Sequence, residues 1–439
     1  MAGYVCAVAG RTSLGVAGVE AMSRFDMSAA ALALFSSVQV GVYAGAQIPV
    51  GLLLDRWGAR RLLGAGALLV ALAQIAMALA HDVPSALAAR VLLGIGDATA
   101  FVSVLRLLPS WFSPFRIPLF TQLTSIFGLL GQVVSAVPFM GVLHHFGWGR
   151  AFAVMSGLGF AAAVLVLGVV RDTPTGSAAP HLQVHRDGGS PSEGVRPPDP
   201  DTGEADARGP EEPSGGPARP TTEGLGTTLR AVTGSPSAWL GFFTHWSGAG
   251  PAMTFTLLWG VPFMTLGMGM SAGDAAAVLI VFTVANIVLG PLAGHLTARR
   301  PTWRVPGVLV CALLSLITWT VLLVPATPPP AWSAVVLAVV LAASGVSSSI
   351  GFDLLRDDIA DHRLGTAIGG TNMGGFTATL LAVQGIGWAL DHVSAGPTHT
   401  WVDFRMAMSL QALTWLVGVV GVLVCAGAVR RRHAGPRQD

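Results

Sequence analysis

Three charged side chains stand inside long apolar stretches in the first part of the chain, namely Arg11, Arg90 and Asp97. An ionisable group at membrane depth is costly to bury, so each of them is a candidate functional residue. The guanidinium of Arg11 carries fixed donors that match a carboxylate or phosphate in two-point contact. A structural ion pair with an acid elsewhere in the molecule is the alternative to a functional role.

Arg90 and Asp97 are seven residues apart, so on a helix they lie on one face. An acid held near an arginine can bind and release a proton as the pairing changes. We therefore predict that Asp97, together with Arg90, carries a coupling proton. A permanent structural pair between the two residues explains the same spacing.

Four other polar residues in apolar stretches are candidates for contact with a substrate: His245, Gln132, Asn372 and Gln384. A histidine can titrate near neutral pH, and neutral amides can bind polar substrate groups in a cavity. Hydrogen bonding between neighbouring helices is the alternative for all four.

The composition shows what kind of element must position these residues. The chain has 439 residues, of which 52% are hydrophobic and 11% charged, and its mean hydropathy is +0.64. Soluble domains carry about 25% charged residues, so the composition predicts an integral membrane protein. A net charge of +2 gives no reason to expect a nucleic-acid partner, and the three separated cysteines predict neither a disulfide framework nor a metal site.

Twelve apolar segments are long enough to cross a bilayer. They run approximately over residues 2–22, 30–53, 62–81, 85–108, 118–143, 149–170, 238–267, 273–296, 304–326, 331–353, 364–390 and 404–429. The sequence therefore predicts a first helical unit over 1–171 and a second over 237–429, with a cytoplasmic tail at 430–439. Between them, residues 172–236 are rich in Pro, Gly, Asp and Glu, which predicts a disordered connector.

The loop between the second and third predicted spans reads GLLLDRWGARR over residues 51–61. It resembles the signature loop of the major facilitator superfamily, G-x-x-x-D-R-x-G-x-R-R. The matching residues are Gly51, Asp55, Arg56, Gly58, Arg60 and Arg61. The resemblance implies an all-α membrane protein with twelve transmembrane helices in two six-helix bundles around a central cavity.

This loop also predicts a conformational latch. A carboxylate such as Asp55 can cap a helix end and pair with arginines in one conformation only. The alternative is a simple positive anchor at the membrane surface. A degenerate copy, GPLAGHLTARR over residues 290–300, follows the eighth span and has Gly294 in place of the aspartate. We therefore expect the latch to be stronger in the first half of the chain.

The first span resembles those of organic-anion and organophosphate permeases of the superfamily, in which an arginine binds the anionic group of the substrate. That resemblance implies the same role for Arg11, although the seventh span has His245 where organophosphate permeases offer a second arginine. The fourth span, through Arg90, Gly94 and Gly96, is similar to the superfamily motif R-x-x-x-G-x-G. Drug/proton antiporters carry a Gly-Pro pair in span five, whereas here Gly131 is followed by Gln132.

Arginine placement predicts the orientation. One side of the predicted bundle, called here the arginine-rich side, carries Arg56, Arg60, Arg61, Arg116, Arg171, Arg299, Arg300, Arg304, Arg356, Arg363 and Arg430 to Arg432. The other side carries Arg24, Arg150 and Arg405. The positive-inside rule then places both termini and the connector in the cytoplasm, in a protein of the prokaryotic cytoplasmic membrane.

These observations predict a secondary active transporter that works by alternating access, without enzymatic activity, cofactor or metal. The first expectation is a monomer that carries a small organic anion together with protons in symport. The alternative is an exporter of drugs or other hydrophobic compounds by proton antiport. A transporter-like sensor and an intramembrane enzyme are further alternatives, with less support from the sequence.

Overall fold

A computed structural model describes residues 1–27, 29–173, 224–393 and 399–433. Over these ranges the regular elements are all helical. The first half contains α1 Ala2–Val16, α2 Gly18–Phe25, α3 Ala29–Trp57, α4 Ala59–Leu79, α5 Val83–Trp111, α6 Ile117–Val134 and α7 Met140–Val169. A π-helical turn, Ser135–Phe139, joins α6 to α7, and a short 3-10 turn, Pro114–Arg116, precedes α6.

The second half begins with the short helix α8, Leu225–Thr233. It continues with α9 Pro236–Thr254, α10 Gly260–Pro262, α11 Ala272–Arg299, α12 Arg304–Leu323, α13 Trp332–Ser348, α14 Ile350–Leu354, α15 Leu364–Val393, α16 Trp401–Ser409 and α17 Gln411–His433. Two π-helical segments, Phe255–Trp259 and Phe263–Gly267, lie on either side of α10 and continue the span that α9 begins.

The described residues contain ten helical segments that are long and apolar enough to cross a membrane. The longest, Pro114–Val169, is interrupted at Gly147, whose φ of 78° and ψ of 176° leave the helical region, so it provides two spans. One more span consists of α1 and α2, which are separated at Ala17. The prediction of twelve membrane helices in two six-helix bundles is confirmed.

The two bundles meet where α3 packs against α15 and where α6 packs against α11. The outer faces of the helices expose large apolar side chains, for example Val164 on α7, Ile280 on α11 and Val424 on α17. Such an apolar outer surface is what a bilayer solvates. The interior is therefore left to hold the polar and charged groups of the spans.

Residues 225–233 of the segment predicted as disordered form α8, which packs against α15 and α9. Val232 of α8 is buried in the same apolar cluster as Leu54 and Leu364. The connector therefore ends in an ordered helix at the arginine-rich side. Residues 174–223, the main part of the predicted connector, and the predicted tail from residue 434 onwards lie outside the described residues.

Candidate functional site

Arg11 and Asp97 form an ion pair between α1 and α5. The Arg11 Nε donates to Asp97 Oδ2 at 2.6 Å, and its Nη2 donates to Oδ1 at 3.0 Å. Asp97 is fully buried, whereas 20% of the Arg11 side chain is exposed. This two-point contact satisfies both carboxylate oxygens and leaves the arginine as the accessible member of the pair.

Aromatic rings from both bundles surround the guanidinium. The Arg11 carbon Cζ lies 4.6 Å from the centre of the Tyr43 ring on α3 and 5.7 Å from that of Phe376 on α15. The two rings are themselves 4.4 Å apart. Cation–π contacts of this kind stabilise a desolvated arginine, so the position of Arg11 depends on both halves of the molecule.

Arg90 has a different environment from the one its spacing suggested. It is buried, and its Nη1 donates to the Gly10 carbonyl and to Gln39 Oε1, both at 3.2 Å, while Nη2 donates to Ser13 Oγ at 3.4 Å. These partners are neutral. The arginine that holds Asp97 is therefore Arg11, on another helix, and Arg90 ties α1 and α3 to α5.

A cavity of about 400 Å³ lies beside Arg11, between the two bundles. Its lining comes from α1, α3, the π-helical segment after α9, and α15. The lining residues are Arg11, Thr12, Gly15, Val16, Ser37, Gln39, Val40, Leu257, Leu258, Thr379, Leu380 and Val383. One cation, a few neutral polar groups and several aliphatic side chains thus face one space, a composition typical of a small-molecule site.

A hydrogen-bonded cluster joins the bundles next to this cavity. The amide nitrogen Nδ2 of Asn372 on α15 donates to the Tyr43 hydroxyl at 2.9 Å and to Gln47 Oε1 at 3.0 Å. Gln47 and Asn372 are buried, and so is Tyr43. Tyr43 thus contacts both Arg11 and Asn372 of the opposite bundle. Movement of Arg11 away from the Tyr43 ring would therefore change the packing of a side chain that joins the two bundles.

The polar residues of α3 follow a regular spacing. Gln39, Tyr43, Gln47 and Asp55, with Gly51 between the last two, occur every four residues, so each lies about one turn beyond the previous one on a row that winds slowly around the helix. The first lines the cavity, the next two belong to the bridging cluster, and Gly51 and Asp55 contact the start of α15. Sequence reasoning missed Gln39, Tyr43 and Gln47, although their four-residue spacing up to the signature loop was a detectable signal.

Asp55 closes the arginine-rich side by capping α15. Its Oδ1 accepts from the Gly365 backbone N–H at 2.7 Å, and its Oδ2 accepts from the Thr366 backbone N–H at 2.8 Å and the Thr366 hydroxyl at 2.6 Å. A carboxylate at a helix N-terminus satisfies otherwise unpaired backbone donors and interacts favourably with the helix dipole. This cap links the two bundles, as a latch must.

Glycines allow α3 and α15 to approach closely enough for this cap. A Cβ atom on Gly51 would lie 2.7 Å from the Gly365 carbonyl oxygen, and one on Gly369 would overlap the Gln47 carbonyl oxygen. Real Cβ atoms do not approach backbone so closely, so larger residues would force the helices apart. Gly51 of the signature loop is therefore needed because the absence of a side chain there lets α3 and α15 pack closely.

The other residues of the signature loop contact the first bundle or solvent. Gly58 has a φ of 79°, a left-handed conformation that glycine adopts without strain, and it separates α3 from α4. The Arg60 backbone N–H donates to Asp172 at 2.9 Å, and its guanidinium donates to the Leu167 carbonyl. Arg56 and Arg61 are exposed. The loop thus anchors α4 to the end of α7, while Gly51 and Asp55 contact the second bundle.

Three predicted contact residues lie apart from the cavity lining. His245 is buried inside the second bundle, with Nδ1 3.4 Å from the Ser348 carbonyl and its ring edge-on to Phe352. Gln132 and Gln384 are exposed side chains on α6 and α15. Among the described residues, the structure therefore brings Arg11 to the cavity wall and Asn372 to the adjoining cluster, but not these three.

Further contacts between the bundles lie at the same end of the molecule. Gln122 Nε2 donates to the Val346 carbonyl at 3.0 Å, and Arg106 Nη2 donates to the Asp361 carbonyl at 3.0 Å. Arg356 donates to the Leu105 carbonyl at 3.4 Å. These bonds and the Asp55 cap all join the bundles at the arginine-rich side. The cavity beside Arg11 is thus separated from that side by a closed contact.

Two helical bundles around a central cavity that is closed at one side are the architecture found in membrane carriers that work by alternating access. The chain belongs to the Major Facilitator Superfamily, whose family model matches residues 1–383. This confirms the family that the signature loop indicated.

Three curated relatives each match this chain over between 35% and 39% of its length. A hexuronate transporter of Bacillus subtilis is 29% identical over 172 residues, which are 37% of this chain and 39% of the relative. A probable L-galactonate transporter of Escherichia coli is 27% identical over 154 residues, 35% and 34% of the two chains. A probable sulfoacetate transporter of Cupriavidus necator is 24% identical over 171 residues, 39% and 40% of the two chains. Each match therefore covers well under half of the relative's length.

Proposed function

We propose that the protein is a symporter that moves a small organic anion together with protons. Arg11 holds the anionic group of the substrate, and Asp97 carries the proton. The observation that supports this most directly is the two-point contact of the buried Asp97 with Arg11, which lines the cavity between the bundles. The relatives named for hexuronate, L-galactonate and sulfoacetate support an organic acid as substrate.

The pair couples the two ligands by competition for Arg11. A substrate carboxylate must displace Asp97 to make a two-point contact with the same guanidinium. Asp97 is fully buried, so it would then be an uncompensated charge, which strongly favours its protonation. Conversely, protonation of Asp97 weakens its hold on Arg11. Proton and anion therefore increase each other's affinity, as thermodynamic linkage between two sites requires.

Movement of Arg11 also reaches the contact between the bundles. The guanidinium packs on Tyr43 and Phe376, and Tyr43 accepts a hydrogen bond from Asn372 on the opposite bundle. Substrate binding changes these contacts and weakens the closed arrangement of α3 and α15, including the Asp55 cap. The cavity then opens to the arginine-rich side.

The proposed proton symport, together with the orientation, gives the direction of transport. With the arginine-rich side in the cytoplasm, the described conformation is closed inwards, and the proton gradient drives uptake. We propose a monomer in the prokaryotic cytoplasmic membrane, with both termini and the connector in the cytoplasm. In this scheme His245 contributes to packing, and Gln132 and Gln384 contact substrate only if the helices rearrange.

Export of hydrophobic compounds is the second candidate function. It is favoured by the aliphatic part of the cavity lining, which includes Val16, Leu257 and Leu380. In that case the Arg11–Asp97 pair is structural, and apolar compounds rather than acids bind. The two functions therefore make opposite predictions for the ligand dependence on Arg11.

Reconstituted proteoliposomes test the proposal with radiolabelled L-galactonate and a hexuronate. We expect Asp97→Asn to abolish accumulation driven by a proton gradient but to retain exchange of internal for external substrate. Arg11→Gln should lose both activities. The matched control is Asp274→Asn, at an exposed acid on α11 that pairs with Ser271, which should behave as wild type.

Proton-driven accumulation by Asp97→Asn at the wild-type level would contradict the coupling role. Binding of apolar compounds alone, equal in wild type and Arg11→Gln, would replace anion symport by export.

A further inference from the structure

Gln39 on α3 combines a place in the cavity wall with an unpaired hydrogen-bond donor. It lines the cavity beside Arg11, yet only 4% of the residue is exposed. Its oxygen Oε1 accepts from Arg90 Nη1 at 3.2 Å. Its nitrogen Nε2 is buried and has no hydrogen-bond partner among the described residues.

The partner fixes which end of the Gln39 amide is free. A guanidinium only donates hydrogen bonds, so Gln39 must turn its oxygen towards Arg90. The NH₂ group then points away from Arg90, and an exchange of the two ends would place donor against donor. Arg90 therefore determines the orientation of the Gln39 amide.

Arg90 also places this amide next to the helix turn that carries Arg11. The same Nη1 atom that binds Gln39 also donates to the Gly10 carbonyl, one residue before Arg11. Ser13, one turn further along α1, accepts from Arg90 Nη2. The Gln39 amide thus lies beside the anion-binding side chain of the same cavity.

A buried donor without a partner destabilises the protein unless a ligand or water satisfies it. We propose that Gln39 is a specificity-determining substrate contact, whose Nε2 donates to a hydroxyl oxygen of the bound anion, and that Arg90 is its positioning residue. The transported substrate is then a hydroxylated carboxylate. This inference rests on the proposed function, because Arg11 must hold the carboxylate first.

The remaining polar lining supports a hydroxylated substrate. Arg11 is the one charged residue among those that line the cavity in the described structure, and it compensates a single carboxylate. Thr12, Ser37 and Thr379 are neutral groups that can exchange hydrogen bonds with hydroxyls. A second anionic group would find no cation in this lining.

Equilibrium binding to the purified full-length protein tests the inference with a pair of six-carbon acids, L-galactonate and hexanoate. The first carries hydroxyls and the second does not. We expect Gln39→Met to weaken L-galactonate binding about tenfold, since one lost hydrogen bond corresponds to roughly that factor, and to leave hexanoate binding nearly unchanged. The ratio of the two Kd values does not depend on the folded fraction of a sample.

The control is Gln74→Met. Gln74 on α4 is also a buried glutamine with an unpartnered Nε2, but it is not among the residues lining the cavity. It should keep the wild-type ratio for both acids. A comparable loss of both acids in Gln39→Met, unchanged L-galactonate binding, or a wild type that binds hexanoate as tightly as L-galactonate would overturn the role of Gln39.

The proposed function fails in a distinguishable way. If wild type binds neither acid, or if Arg11→Gln binds both as wild type does, the anion-symport proposal is wrong. The proposed role of Gln39 is then wrong as well. If binding depends on Arg11 while Gln39→Met keeps the wild-type ratio of the two Kd values, only the proposed role of Gln39 is wrong.

Discussion

The two halves of the molecule close the arginine-rich side in different ways. In the first-half contact, between α3 and α15, the Asp55 carboxylate accepts three hydrogen bonds from Gly365 and Thr366. In the second-half contact, between α11 and α6, Gly294 takes the place of the aspartate. A Cβ atom there would lie 2.9 Å from Leu119 Cα, so backbone packs directly against backbone.

This difference separates two mechanical roles. Charge-assisted hydrogen bonds to a helix terminus depend steeply on distance, so the first-half contact is either made or broken. Dispersion contacts between glycine and backbone are individually weak and tolerate small sliding movements. We infer that the first-half contact is the latch and that the second-half contact is the pivot about which the two bundles rotate.

The largest effect is expected from loss of the space at the first-half contact. Gly51→Ala places a Cβ atom 2.7 Å from the Gly365 carbonyl oxygen and from Thr366 Cα, so the bundles cannot close. Transport should fall by at least about tenfold, as expected when a backbone clash of several kcal/mol opposes one conformation. Labelling of a cysteine introduced at the buried Ala367, with the native cysteines replaced by serine, should become fast from the arginine-rich side.

The control for this variant is Gly41→Ala on the same helix, where a Cβ atom would meet nothing within 4 Å. Wild-type labelling and transport in Gly51→Ala would show that α3 and α15 do not need this close approach.

A smaller but still large effect is expected when the charge of the latch is removed. Asp55→Asn keeps the size of the side chain but replaces one acceptor oxygen by a donor that faces backbone N–H groups. The closed state should be weakened about tenfold to a hundredfold, the range for the loss of one charge-assisted hydrogen bond. Transport should slow, while substrate affinity stays close to wild type because Asp55 is remote from the cavity lining. A turnover equal to wild type would exclude the latch.

The smallest effect is expected at the second-half contact. Gln122 on α6 lies beside Gly290 of α11, and Gln122→Leu removes one neutral hydrogen bond, to the Val346 carbonyl on the neighbouring α13 at 3.0 Å. Since such a bond contributes about 1 kcal/mol, labelling at Ala367 should rise only a few fold, less than in Asp55→Asn. If Gln122→Leu raised labelling at Ala367 as much as Asp55→Asn or more, the distinction between a latch and a pivot would be wrong.

The fold could be predicted almost completely because bilayer thickness imposes a length on every span. Apolar runs of the right length indicated twelve membrane helices, and the signature loop indicated the superfamily. Residues 225–233 were the visible exception: a Pro- and Gly-rich neighbourhood suggested disorder up to residue 236, but Val232 finds an apolar site beside Leu54 and Leu364. Local composition does not report such distant burial.

The candidate site was predicted only in part. Arg11, Asp97 and Asp55 could be recognised because a charge inside or next to an apolar run is costly to bury and is therefore a candidate functional residue. Their partners did not stand out: Arg11 meets Asp97 across 86 residues, and Asp55 meets Gly365 across 310. Neutral residues such as Gln39 gave only the weaker signal of a four-residue spacing along α3, and Gln132 and Gln384 could not be told from Gln39 by residue type.

The sequence by itself determined which groups must be satisfied inside a membrane, because the cost of burying a charge or a backbone donor is set by residue type and span length. It thereby determined the class of fold, the family loop and the two charged residues of the proposed coupling pair. Only the tertiary structure decided which partner satisfies each group, because contacts between helices depend on the rotation and closeness of whole spans. The pairing of Asp97 with Arg11 rather than Arg90 depends on this packing of the helices. The cap that Asp55 forms on α15 depends on it in the same way.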